Sequence, residues 1–135
     1  LSPDEVPRVT ALRDAMEAAI EAAAPETVFI GRDRPRLANT SLMALPGASA
    51  ETLVMALDLA GFAVSAGSAC SSGKVKESAV LRAMGLGPSL AGAAVRVSLG
   101  WTTQAAETRA FAAAWGALAA RRRGSAETGR AAGRA

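Results

Sequence analysis

Alanine limits what this chain can build. Half of its 135 residues are hydrophobic, yet 34 residues are alanine and only 4% are aromatic. Alanine buries little area, so the core must be thin and made by close approach of whole elements. The length supports one hydrophobic core, as a single domain or as a piece of a larger protein. The chain begins at Leu1 rather than Met, the start expected of a fragment or a processed product.

The chemistry open to the chain is narrow. There is no histidine and no tyrosine. That excludes a Ser-His-Asp triad, imidazole catalysis, His-ligated metals and a tyrosine acid. One cysteine excludes an intrachain disulfide and a Cys-cluster zinc site, so no metal is expected. The lone thiol suits a reducing compartment, here taken as the cytoplasm. No apolar run is long enough to cross a bilayer, and the start LSPDEVPR is too polar for a secretory signal.

The net charge of +3 resembles that of a nucleic-acid binder, but its distribution does not. Residues 121–135 hold five arginines and one glutamate; the preceding 120 hold ten Lys/Arg and eleven Asp/Glu. The body is therefore close to neutral and lacks a basic stripe with interleaved aromatics. No direct contact with nucleic acid is expected. Residues 123–135 read as a basic, disordered tail on a domain spanning 1–122.

Ser2, Pro3 and Glu5 form a capping-box start, and Val9, Leu12, Met16 and Ile20 recur on one helical face. Glu17 and Glu21 fall on another face, and Pro25 closes the helix near residue 23. Residues 27–30 read as a short strand and 37–45 as a second, followed by a turn at Pro46-Gly47. Ser49 caps a helix that turns Leu53, Leu57 and Ala60 inward and stops at Gly61. Phe62 to Val64 read as a strand. Residues 65–74 are almost all serine, glycine or alanine and read as a mobile loop. Ser78 caps a helix over 79–84. Val95, Val97 and Leu99 alternate with Arg96 and Ser98, the period of a half-buried strand. Thr103 caps a final helix with Phe111, Trp115 and Leu118 inward. The expected class is α+β (or α/β): a small sheet of three to four strands with helices on one face.

Two residues stand out chemically. Cys70 lies in the small-residue loop, with Lys74 and Lys76 shortly after. Nearby cations favour a thiolate, the nucleophilic form, and a loop of small residues lets the sulfur move between two places. An alanine-rich chain can equally bury one cysteine as a slightly larger alanine, so the loop alone leaves both readings open. Arg96 offers a planar fork for a carboxylate or phosphate. A polar position on a half-buried strand is also often simply solvated.

Four segments occur in order: Arg36-Leu37-Ala38-Asn39-Thr40-Ser41, Ala66-Gly67-Ser68-Ala69-Cys70-Ser71-Ser72-Gly73, Val80-Leu81-Arg82-Ala83-Met84-Gly85-Leu86 and Val95-Arg96-Val97-Ser98-Leu99-Gly100. Together they resemble the C-terminal small domain of NifS/IscS-type cysteine desulfurases, in the class V group of pyridoxal-phosphate enzymes. The resemblance covers about residues 3–120. It implies that Cys70 is the catalytic cysteine, which takes sulfur from L-cysteine as a persulfide and releases L-alanine. It implies that Arg96 binds the substrate carboxylate and that Asn39 lines the pocket. Pyridoxal 5'-phosphate would be held by a large domain absent from this chain, so no cofactor-binding residue is expected here and the isolated chain should be inactive. The resemblance further implies a homodimer in the full enzyme, and an iron–sulfur scaffold or sulfur-carrier protein as persulfide acceptor. Ala38 and Ala66 depart from the usual proline and serine of the family. A selenocysteine lyase, another class V aminotransferase domain and a non-enzymatic interaction domain are the alternatives.

Overall fold

The computed structural model describes residues 4–32, 36–59, 61–62, 64–66, 90 and 92–133, with side chains described as far as Gly124. Cys70, Lys74, Lys76, the expected 79–84 helix and Ser2 lie outside the described residues. Among those described, the order is α1 (Glu5–Ala23), β1 (Val28–Phe29), β2 (Thr40–Ala44), α2 (Ala50–Leu59), β3 (Ser65–Ala66), β4 (Ala94–Ser98) and α3 (Ala105–Gly133). The α+β class expected from the sequence is the class observed.

The sheet is antiparallel throughout, in the order β1-β2-β4-β3. Its register places Phe29, Met43, Val95 and Ala66 in one cross-strand row. These residues face the helices and join Met16, Ile20, Leu53, Leu57, Phe111 and Trp115 in the main core. The opposite face carries Val28, Leu42, Ala44, Ala94 and Arg96. A smaller apolar cluster of Ile30, Ala44, Ala93 and Ala94 covers part of it.

Helix ends follow local chemistry at some points and not at others. At α2, Ser49 Oγ accepts the Thr52 N–H at 3.1 Å, the expected cap. Its far end is a Schellman turn: Gly61 has φ +94°, its N–H bonds Asp58 O, and the Phe62 N–H bonds Leu57 O. α1 begins instead at Glu5 with Asp4 as N-cap and no side-chain cap bond, because Glu5 turns to Arg8. α3 is not capped by Thr103, whose hydroxyl takes the Gly100 N–H. Glu107 reaches back to the Gln104 N–H at 2.9 Å and does that work. α3 also continues past residue 122 to Gly133, into the segment expected as a tail. Alanine, arginine and glutamate there are strong helix formers.

The third strand is displaced from its expected place. Ser65 and Ala66, read from the sequence as the opening of a loop, pair with Arg96 and Val95, while Phe62 and Val64 lie outside any strand. Pairing with β4, not local propensity, selects these two residues.

The close approach that alanine demands is visible where α1 meets α3. Ala24, Ala112 and Ala119 are buried there, and a Cβ added at Gly116 would lie 2.9 Å from Ala23 Cβ. Ala23 Cβ is fixed to the helix backbone and cannot swing aside. Gly116→Ala gains helix propensity but forces the helices apart, so a net loss of about 1 kcal/mol is expected. A urea midpoint above that of the parent would contradict this.

Candidate functional site

Arg96 sits in the middle of β4, between Leu42 of β2 and Ser65 of β3. Its backbone is thus held from both sides. The alternation of buried Val95 and Val97 with exposed Arg96 and Ser98 sends the guanidinium to the face away from the helices. Arg96 has no hydrogen bond or ion pair with another described residue. An exposed guanidinium on a held backbone, without a partner among the described residues, has its donors available for an anion.

Asn39 is placed differently. Its Nδ2 donates to Leu99 O at 3.0 Å, and its main-chain carbonyl accepts the Leu99 N–H at 2.8 Å. These bonds extend the β2–β4 ladder by one step. Leu99 is three residues from Arg96, about 10 Å along the strand. The structure therefore brings Asn39 and Arg96 to the same strand pair but not into contact.

The stretch that carries Asn39 is clamped to α1 by a group that periodicity misplaced. Glu17, read from the sequence as lying on a face other than the apolar stripe, is only 1% exposed. Arg36 grips its carboxylate with both terminal nitrogens, at 2.7 and 2.9 Å. The Ser41 hydroxyl donates to it at 2.6 Å, and Arg32 lies 3.7 Å away. Burial by itself would raise the Glu17 pKa. The hydrogen bonds from Arg36 and Ser41 and the two arginine charges outweigh burial and hold it below the usual carboxylate range. Arg13 adds a bond to Leu37 O at 3.1 Å. Residues 36–41 are thus pinned at Arg36, Leu37 and Ser41. Glu17 follows Met16 directly, at the edge of the apolar stripe, but its partners Arg36 and Ser41 lie in another segment, so no signal local to α1 marked the clamp.

A cavity of about 300 Å³ lies near the end of β4, lined by Met16, Phe62, Val97, Leu99 and Phe111 among others. These residues belong mostly to the helix side of the sheet, so the cavity and the Arg96 guanidinium are on different faces. Among the described residues no group of three or more His, Cys, Asp or Glu side chains could hold a metal. No described helix is long and apolar enough to cross a membrane.

Known proteins share both the architecture and the sequence. A NifS-like protein from Rickettsia africae ESF-5 superposes with a TM-score of 0.68 at 26% identity, covering 84% of this chain and 28% of that one. A second NifS-like protein, at 22% identity, has a TM-score of 0.69 and supports the fold alone. The domain is therefore of the NifS-like α+β class. A cysteine desulfurase from Cereibacter sphaeroides is 45% identical over 98 residues, 72% of this chain and 25% of its own length. The cysteine desulfurase NifS of Azotobacter vinelandii is 40% identical over 71% of this chain and 24% of its own. The cysteine desulfurase IscS of Histophilus somni is 40% identical over 76% and 25%. No protein-family model matches. The chain is thus similar to cysteine desulfurases over most of its own length, and it spans about a quarter of the length of the curated relatives it matches.

Proposed function

We propose that this chain is the C-terminal small domain of a NifS/IscS-type cysteine desulfurase. In it, Arg96 anchors the carboxylate of L-cysteine and Cys70 receives the sulfur. The observation that carries the reading is the exposed Arg96 guanidinium, without a partner among the described residues, on a strand held from both sides. A bidentate arginine–carboxylate pair fixes both position and orientation of an amino-acid substrate. The cysteine segment starts beside this arginine, since Ser65 pairs with Arg96 and Ala66 with Val95. Cys70 is four residues beyond Ala66, so the covalent chain holds the two within about 14 Å whatever its path.

The net change is balanced without a further oxidant. The carbon–sulfur bond of L-cysteine breaks, the sulfur ends on Cys70 as a persulfide, and L-alanine leaves. The persulfide then passes to an acceptor, either an iron–sulfur scaffold or a sulfur-carrier protein. The compartment is the cytoplasm, and the full enzyme is a homodimer. Asn39 keeps a pocket-lining role through its hold on the end of β4.

Pyridoxal phosphate is the cofactor the family implies. The described residues do not fit it: none is a lysine, and the chain has no histidine to stack on the ring. The cofactor would be held by the part of the protein outside this chain, and this chain's share is limited to the carboxylate anchor and the thiol.

The test mixes this chain with the cofactor-binding remainder and follows sulfide release from L-cysteine. Cys70→Ala is expected to abolish release. Arg96→Ala should lower kcat/KM about a hundred-fold, mostly through KM, with Arg96→Lys intermediate. Sulfide release undiminished by either alanine substitution would overturn the assignment.

A further inference from the structure

The three consecutive arginines of α3 lie outside the carboxylate site on β4. Arg123 turns toward Glu26, beyond the end of α1, at 3.4 Å. Arg121 and Arg122 line a groove between α3 and α2 of about 540 Å³. Both are exposed, and neither has a hydrogen bond or ion pair with another described residue. The apolar lining between them and α2 comes from Leu53, Ala56 and Leu118. The turn at Gly47 completes the wall. Its φ of +85° suits glycine, and a Cβ there would collide with Arg122 Nη2. The missing side chain is what lets the guanidinium lie over the turn.

We infer that this groove docks an acidic segment of a partner protein that carries an apolar anchor residue. Two exposed guanidiniums beside an apolar cleft, without partners among the described residues, take carboxylates from the rim of such a segment while its apolar side chain enters between the helices. A nucleic acid fits less well. Among the described residues the groove has no aromatic lining for base stacking. The first 120 residues, with ten Lys/Arg against eleven Asp/Glu, offer no basic track for a phosphate backbone. The inference goes beyond the sulfur chemistry proposed above and does not require it.

The test is fluorescence anisotropy on the full chain with a short fluorescein-labelled peptide of glutamates and leucines. Saturable binding that weakens with salt is expected. Arg121→Glu combined with Arg122→Glu should weaken it at least about ten-fold, as two rim charges together allow. Arg109→Glu makes the same kind of charge change at an exposed site on α3 outside the groove and should leave binding nearly intact. A peptide with serines in place of leucines should bind more weakly than the parent peptide. Far-UV circular dichroism checks the fold; if the double reversal unfolds, Arg121→Gln with Arg122→Gln serves in its place. No binding, an equal loss with Arg109→Glu, or no loss on removing the groove arginines overturns the inference. So does a single-stranded RNA that binds more tightly than the peptide and depends on the same arginines.

Discussion

Trp115→Ala is expected to remove about 4 kcal/mol of stability, the cost of deleting a large buried aromatic. Trp115 is 0% exposed and is the largest fully buried side chain described. Its neighbours are already packed in the same core, so the space it leaves would be filled only in part. Its ring stacks on Phe111 with centroids 6.3 Å apart, and Phe111 meets Phe62 edge-on at 5.4 Å. Its Nε1–H donates to Thr27 Oγ1 at 2.9 Å, tying α3 to the turn between α1 and β1. Domains of this size have only about 5–15 kcal/mol in total, so the variant should be partly unfolded at modest temperature. Trp115→Phe keeps an aromatic plug but loses the donor, and should cost about 1–2 kcal/mol. Urea unfolding followed by circular dichroism reads both. Fluorescence offers a second reading: with Trp115 gone, only the exposed Trp101 remains, and native emission should shift to longer wavelength. A loss below about 1 kcal/mol for the alanine variant would show that the core does not depend on this ring.

The second large effect concerns Glu17. Glu17→Leu leaves Arg36 and the Ser41 hydroxyl without their shared acceptor, and a loss of about 3 kcal/mol is expected. Arg36→Met leaves the buried carboxylate with Ser41 and the more distant Arg32, at a similar cost. Combined, the two should cost clearly less than their sum, because neither charge is then stranded. The pH dependence follows from the lowered pKa of Glu17. The unfolded chain binds a proton at the ordinary carboxylate pKa, near 4.5. The folded chain binds it only at lower pH. The stabilisation is therefore complete above that ordinary value and is lost as pH falls through the lower, folded one. Glu17→Gln should flatten this acid limb of the stability profile. An unchanged acid limb would mean that other carboxylates set it.

Glu17 also shows how far periodicity reaches. Val9, Met16 and Ile20 mark the buried stripe of α1 correctly, because apolar spacing reports the side facing the core. A carboxylate beside that stripe reads as solvated until its partners are known. Those partners, Arg36 and Ser41, come from a different segment, and nothing local to α1 announces them. The candidate site divides in the same way. The alternation around Arg96 told which way the guanidinium points, and the β4 pairing agreed. That Asn39 spends its amide on Leu99 rather than beside Arg96 depends on the β2–β4 register, which no single strand contains.

The sequence by itself determined the α+β class, the alternating burial of β4, the Ser49 cap, the Gly61 stop and the family kinship. Each of these rests on backbone periodicity, a capping hydroxyl, a glycine with positive φ, or an ordered set of short motifs, all of them local in the chain. Tertiary structure alone decided the burial of Glu17, the choice of Ser65 and Ala66 over the residues before them as strand, the contact at Gly116 and the groove under Arg121 and Arg122. These depend on which distant segment arrives opposite, and that is set by the packing of whole elements, not by the preference of any one residue.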